Sequence, residues 1–243
     1  MTILFLLAGR ASRFKEAGYT SPKSLIKAKG KYMIEWACDS LGFIQKKKFI
    51  FVCLREHEKM HHITSVLKSI YGDTATVLLT DGVTDGAAVS ALLAKEHIQT
   101  DEELIISNAD QYFKSKAFEE ELRKKKKEYS GLIPVFEATH SRWSFAKLNE
   151  KGYVVEVAEK VPISNHATVG VYYFRHGKDF VWAAQEMIRK DIRRNNEFYV
   201  CPVFNELLGR GDKIKAVSAD FMWSMGTPED VLYFEKYFKG DRK

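Results

Sequence analysis

The 243-residue chain has only three cysteines, Cys38, Cys53 and Cys201, unclustered and without metal-ligand spacing. A cysteine-held metal is thereby excluded, and a reduced, cytoplasmic compartment is the expectation. No apolar run approaches the roughly 20 residues that a membrane span requires, so no membrane partner is expected. Residues 1–7 are apolar but too short for a signal h-region, and no basic segment precedes them. No repeat, low-complexity tract or linker divides the chain. Two common phosphate-binding signatures are also missing. After the first apolar run only Gly9 stands where the dinucleotide fingerprint needs three glycines, and no Gly-Lys-Ser/Thr opens a helix as in a P-loop.

What is present suits a globular α/β chain with ample core: apolar residues make up 45%. The net charge of +6 invites a nucleic-acid reading, yet much of the excess falls at residues 123–127, behind the acids Glu119, Glu120 and Glu121. Acidic first and basic last is the order a helix dipole prefers, so 116–127 is predicted as one exposed helix rather than a nucleic-acid surface. The remaining cations, notably Arg13, Lys23 and Lys160, suit an anionic small molecule.

Apolar runs at 3–7, 49–54, 76–79 and 104–107 alternate with helical patterns at 32–41, 56–70 and 86–97. This βαβ alternation predicts a parallel sheet with helices on both faces. The loops 8–22, 80–85 and 108–112 would then share one sheet edge, where α/β proteins bind ligands. The second half reads as strands 144–148 and 153–157 around an Asn149-Glu150-Lys151-Gly152 turn, then strand 167–174, helix 180–190 and strand 214–218. Phe221, Met222 and Trp223 read as a further short strand. Thr227-Pro228-Glu229-Asp230 opens a last helix with a hydroxyl cap, proline at N1 and first-turn acids. The expectation is one domain: a Rossmann-like α/β fold with a mixed, mostly parallel sheet flanked by helices and a small inserted β-layer.

Chemistry concentrates after the first strand. Leu7, Ala8, Gly9, Arg10, Ala11 and Ser12 form a turn of mostly small residues whose backbone N–H groups can approach a phosphate. Arg13 and Lys23 add the positive charge that a leaving pyrophosphate needs. Asp110, in Ser107-Asn108-Ala109-Asp110, follows a strand and is a candidate metal ligand or a helix cap. His57, His61 and His62 have i, i+4 spacing suited to a zinc pair, but without a third ligand they are expected to be surface histidines. Trp143, in Arg142-Trp143-Ser144-Phe145, is expected either to line a pocket or to serve as packing.

The loop Leu7-Ala8-Gly9, Ser12-Arg13-Phe14, then Pro22-Lys23, resembles the signature of the sugar-phosphate nucleotidyltransferases, departing from it at Ala11, where that family usually has glycine. Among them the chain looks most like small bacterial members associated with capsule and surface-polysaccharide genes. The resemblance implies the nucleotide-diphospho-sugar transferase type of fold, with a nucleotide-binding half (1–115) and an acceptor-binding half (130–243). It implies transfer of a nucleoside monophosphate from a triphosphate to a phosphorylated acceptor, with Mg2+ as cofactor and pyrophosphate released. Asp110 would hold the metal. The usual second acid position is Ser224 here, which leaves Asp220 as the nearest substitute. Asn108 and the Asp85-Gly86 turn would meet the nucleotide. Glu159, Lys160, Gly170 and Glu197 would meet the acceptor. A homo-oligomer stays open, as do three rivals: cytidylylation of a non-sugar phosphate or phosphonate, a nucleotide-sugar-dependent glycosyltransferase, and a non-catalytic binding protein.

Overall fold

The computed structural model describes residues 1–124 and 128–240. Three of the lysines in the basic run, at 125–127, lie outside the described residues. The first half builds four strands, β1 (Thr2–Leu6), β2 (Lys48–Leu54), β3 (Ala75–Thr80) and β4 (Leu104–Ser107), paired in parallel in the order β3-β2-β1-β4. β1, β2 and β4 are almost wholly buried, which is why they read as continuous apolar runs rather than alternating ones. A short strand β5 (Gln111–Lys114) follows. The second half adds β6 (Gly131–Glu137), β7 (Ser144–Leu148), β8 (Val154–Glu159), β9 (His166–Thr168), β10 (Val171–Phe174), β11 (Ile214–Ser218) and β12 (Phe221–Ser224).

The main sheet has ten strands in the order β8-β7-β9-β6-β10-β4-β1-β2-β3, with β11 pairing parallel to β6. β10 joins the two halves by pairing antiparallel to β4 and to β6. The hairpin β7–β8 is the expected added β-layer, and its turn is closed by the Asn149 side chain, which accepts from Lys151 and Tyr153 N–H groups. β5 and β12 form a separate antiparallel ribbon. Apolar clusters cover both faces of the sheet. A third cluster gathers Phe14, Trp36, Tyr112, Met225, Phe234 and Phe238 from distant parts of the chain.

Ten helices flank the sheets among the described residues: α1 (Ser12–Glu16), α2 (Met33–Ser40), α3 (Arg55–His61), α4 (Ile63–Tyr71), α5 (Ala87–Leu92), α6 (Lys95–Ile98), α7 (Lys116–Lys124), α8 (Gly177–Arg189), α9 (Val203–Gly209) and α10 (Pro228–Tyr237). Several differ from the sequence pattern. The single helix expected over 56–70 breaks at His62, which is left-handed (φ 49°), while the Glu58 carboxylate accepts the Thr64 N–H at 2.8 Å and caps the second piece. The helix expected over 86–97 is likewise two, α5 and α6. The strand expected over 167–174 breaks at Gly170 (φ 79°) into β9 and β10. β5, β6, α1 and α9 leave no periodic signal of their own. β6 carries Pro134 inside the sheet, a residue that argues against a central strand.

The histidine expectation needs correction. His57 is buried on α3 and His61 half-buried, leaving only His62 exposed. Burial lowers the His57 pKa below its ordinary value. The three cysteines are free and buried, and burial pushes the Cys38 and Cys53 thiols up to about 12, so they stay protonated and inert.

Candidate active site

The chain leaves the sheet at Leu7, whose N–H still bonds to the Val52 carbonyl at 2.8 Å. Ala11 then adopts a left-handed conformation (φ 51°) and starts α1. That φ explains the glycine preference at this position: a methyl group is strained there, not merely bulky. Phe14 of α1 is buried in the third cluster, edge-on to Tyr19 at 5.3 Å, so the loop is anchored by one side chain. Gly9 has open space around it, and Arg10, Ser12 and Arg13 remain exposed. Gly9, Arg13, Thr84, Asp85 and Glu197 line a cavity of about 610 Å3.

Lys23 stands in the single turn after Pro22. Its ammonium donates to Asp110 Oδ2 at 2.5 Å and to the Gly226 carbonyl at 3.1 Å. Both side chains of the pair are about three-quarters buried, with 27% and 28% exposed. Asp110 is fixed in turn, because its carbonyl accepts the Met225 N–H at 2.7 Å. Lys23, Asp110 and the Gly226-Thr227-Pro228-Glu229 segment, far apart in sequence, therefore meet at one point. Beside them the Ser24 hydroxyl is buried without a hydrogen-bond partner. Asn108 is locked to Gly170: its N–H bonds to the Gly170 carbonyl at 2.9 Å, and a Cβ on Gly170 would lie 2.5 Å from Asn108 Nδ2.

Arg13 and Lys23 also line a second, adjoining cavity of about 250 Å3, together with Asp110, Arg142, Ser144, Glu159 and Lys160. Glu159 is buried at its floor and accepts a hydrogen bond from the Ser144 hydroxyl. Tyr172 connects to Ser144 at 3.4 Å and to Thr168 at 3.0 Å. Burial raises the Glu159 pKa above its ordinary value, with the Ser144 hydrogen bond and Lys160 opposing. Lys160, left-handed at φ 55°, donates to Tyr199 Oη at 2.6 Å, and Tyr199 donates to Glu197. The Arg142 guanidinium lies 4.5 Å from the centre of the Trp143 ring, donates to Ser224 Oγ at 3.0 Å, and pairs with Asp230. Trp143 thus both lines the cavity and packs, edge-on to Phe136.

Two of the expected site residues have partners within the fold. Gly86 (φ 124°) is required by the protein itself, since a Cβ there would lie 2.5 Å from Phe198 backbone atoms. Phe198 N–H bonds to Asp85 O, and Ala88 N–H bonds to Phe198 O, both at 2.8 Å, so this turn is clamped by the 197–198 segment. Asp220 does not reach Asp110. Its carboxylate accepts the Lys116 N–H at 2.9 Å at the start of α7, and it lines a different cleft with Ser115 and Phe221. It precedes β12 and stands four residues before Ser224, about 13 Å by strand rise. The ribbon register explains this: Ser224 faces Gln111 beside Asp110, whereas Asp220 lies beyond the opposite end.

The donor set facing the cleft fits a divalent cation held partly by a ligand. Among the described residues no group of three or more His, Cys, Asp or Glu side chains is placed to hold a metal alone. Asp110 with phosphate oxygens is a donor set that magnesium accepts. Sequence reasoning missed Asp230 and Tyr199. Asp230 read only as a first-turn acid, and nothing in the spacing links it to Arg142, 88 residues away.

Solved structures share this fold. A crystal structure of a nucleoside-diphosphate-sugar pyrophosphorylase from Vibrio cholerae RC9 superposes with a TM-score of 0.82 at 24% identity, covering 97% of this chain and 99% of that one. The inositol-1-phosphate CTP transferase from T. maritima gives 0.74 at 16% identity, covering 94% and 90%. These likenesses establish the fold. No curated protein matches the chain by sequence. The family model described as nucleotidyl transferase matches residues 3–237, nearly the whole chain, and the protein belongs to that family.

Proposed function

We propose that the protein transfers a nucleoside monophosphate from a nucleoside triphosphate to a phosphorylated polyhydroxy acceptor, a sugar 1-phosphate first among them, and releases pyrophosphate. The observation that carries this reading is that Arg13 and Lys23 line both adjoining cavities, the smaller of which also holds Asp110 and Lys160. The reaction brings two polyanions together, and such a junction of cations is what offsets their repulsion. The 1–115 half supplies the loop of Leu7 to Ser12, Asn108, Asp85 and Gly86 for the nucleotide. Arg13 and Lys23 hold the triphosphate and stabilise charge on the departing pyrophosphate. Lys160 positions the acceptor phosphate, whose oxygen is already anionic and needs no general base. Glu159, Ser144 and Glu197 suit acceptor hydroxyls, and Gly170 shapes the wall beside Asn108.

Magnesium, when bound with the triphosphate, would neutralise phosphate charge, with Asp110 as its protein ligand. Lys23 would then exchange its Asp110 partner for phosphate. The named activities of the two structural neighbours support a phosphorylated polyol or sugar as acceptor. The likeness to capsule-associated members supports a cytoplasmic role in making activated precursors for surface polysaccharide. The inositol-phosphate neighbour also favours keeping CTP with a non-sugar acceptor in the test. That test is a pyrophosphate-release screen of four nucleoside triphosphates against glucose 1-phosphate, other sugar 1-phosphates, inositol 1-phosphate and phosphocholine with magnesium. Release with a sugar or polyol phosphate is expected. Nucleoside diphosphate produced from a nucleotide-sugar, with no pyrophosphate from any pair, would replace the proposal with a glycosyltransferase.

A further inference from the structure

We infer that the Ser24 hydroxyl reads a pentose hydroxyl of the bound nucleotide, which makes Ser24 a specificity-determining residue; the inference rests on the nucleotidyltransferase reading above. Among the described residues four buried side-chain polar atoms have no hydrogen-bond partner: Ser24 Oγ, His57 Nδ1, His61 Nε2 and Arg175 Nη2. Of these four residues only Ser24 lines a cavity of the site. That cavity, a third one of about 280 Å3, borders the ends of β1 and β4 and shares Gly9, Ala11 and Lys23 with the cavity of about 610 Å3. Ser24 is 4% exposed, and its backbone is fixed. Leu25 N–H bonds to the Pro22 carbonyl at 2.8 Å, Ile26 N–H bonds to the Lys23 carbonyl at 3.1 Å, and the two side chains are buried in different apolar clusters. The hydroxyl is therefore held beside the cavity without a partner, a condition that destabilises the free protein and that a ligand oxygen would relieve.

A phosphate is the poorer match for this cavity. Arg10 and Arg13 line the larger cavity and not this one, and its one cation, Lys23, is paired with Asp110 on the same wall. Leu6, Leu7, Ala11 and Ala109 make much of the remaining wall apolar. A pentose offers what such a lining accepts: a neutral ring with apolar C–H faces and hydroxyls that both donate and accept. The proposed triphosphate site at Arg13 and Lys23 adjoins this cavity, and the pentose is the group joined directly to the first phosphate. Base and phosphates then have their own partners in the larger cavity, while the ring between them meets Ser24.

The experiment measures binding to the full chain by isothermal titration calorimetry, with magnesium and without acceptor. The tightest binder among ATP, CTP, GTP and UTP is compared with its 2′-deoxy and 3′-deoxy analogues. Wild-type protein should bind the analogue that lacks the hydroxyl read by Ser24 about tenfold more weakly, since the buried hydroxyl is again left alone. Ser24→Ala should bind the parent triphosphate about as weakly as wild type binds that analogue, and should no longer tell the two apart. The two analogues identify the hydroxyl: a loss confined to the 2′-deoxy form makes the protein selective for ribonucleotides. Without nucleotide, Ser24→Ala should melt no lower than wild type, because the hydroxyl it removes has no partner in the fold. Equal wild-type affinity for the parent and both analogues, a comparison that needs no variant, would overturn the inference. Discrimination that survives intact in Ser24→Ala, or a lower melting temperature of that variant without nucleotide, would overturn it too. Binding of no triphosphate at all would count against the proposed reaction as well, whereas binding without discrimination refutes only the role of Ser24.

Discussion

At the proposed triphosphate end of the cleft the chain presents mainly backbone: a left-handed turn at Ala11, an open Gly9 and a helix start held by Phe14. At the acceptor end it presents side chains bonded to one another, Glu159 to Ser144 to Tyr172, Lys160 to Tyr199 to Glu197, and Arg142 to Asp230. The first kind of site is carried by a few contiguous residues. The second is assembled from β7, β8, β10 and the 197–199 segment, and its polar atoms must each find a partner. Under the proposed function, identity of the acceptor would reside in the second network, and the common chemistry in the first.

Four experiments break or sharpen that contrast. Lys23→Ala should lower turnover by at least about 10²-fold, the scale of removing one transition-state donor. Its melting temperature should stay near wild type, because the pair it leaves is only part-buried. Unchanged pyrophosphate release would remove the catalytic role. Gly86→Ala should destabilise the fold by about 3 kcal/mol, the upper range for a forced backbone conformation, since its Cβ meets the Phe198 backbone. Gly9→Ala, with nothing within 4 Å, should leave stability unchanged and raise the triphosphate KM. Equal melting temperatures for the two variants would void the contrast between a clamped and an open turn.

Glu159→Gln should raise the acceptor KM about tenfold while leaving the triphosphate KM alone, a difference of roughly 1.4 kcal/mol. Its pKa is raised in the fold, so the native state holds its proton more tightly than the unfolded chain. Its contribution to stability is thus present below the unfolded pKa of about 4.3 and lost as pH rises through the folded value. Glu159→Gln should accordingly melt no lower than wild type at pH 8 by calorimetry, and a large loss of stability there would contradict the burial argument. The smallest effect is expected at Ala11→Gly, which relieves a left-handed alanine and should add about 1 kcal/mol. Chemical denaturation would show it, and a loss of stability would mean that Ala11 is not strained.

The nucleotide half was largely legible in the sequence because its strands are buried on both faces and its loop is contiguous: β1, β2 and β4 fall within a residue of the apolar runs. The resemblance read from that loop led to the same family that the whole chain matches. The expected last helix also fits, with Thr227 Oγ1 accepting the Asp230 N–H at 3.2 Å. Pro134 hid β6, and Gly170 split a run that reads as one strand. Local periodicity does not encode tertiary partners. Asp220 drew attention because it is near Ser224 in sequence, yet successive strand residues progress along the ribbon and carry it away from Asp110. Asp230 lies on a helix whose cap was recognised, while its second partner, Arg142, comes from a loop before β7.

Phe14, just past the phosphate loop, is buried in the same cluster as Phe234 and Phe238, and the α10 cap supplies the carboxylate that aims Arg142. During synthesis the amino-terminal strands emerge first and can begin to pair, but the cluster that seats Phe14 is complete only when the last twenty or so residues follow. A chain lacking 224–238 would thus keep its main sheet and leave Phe14, and the loop before it, without part of its packing.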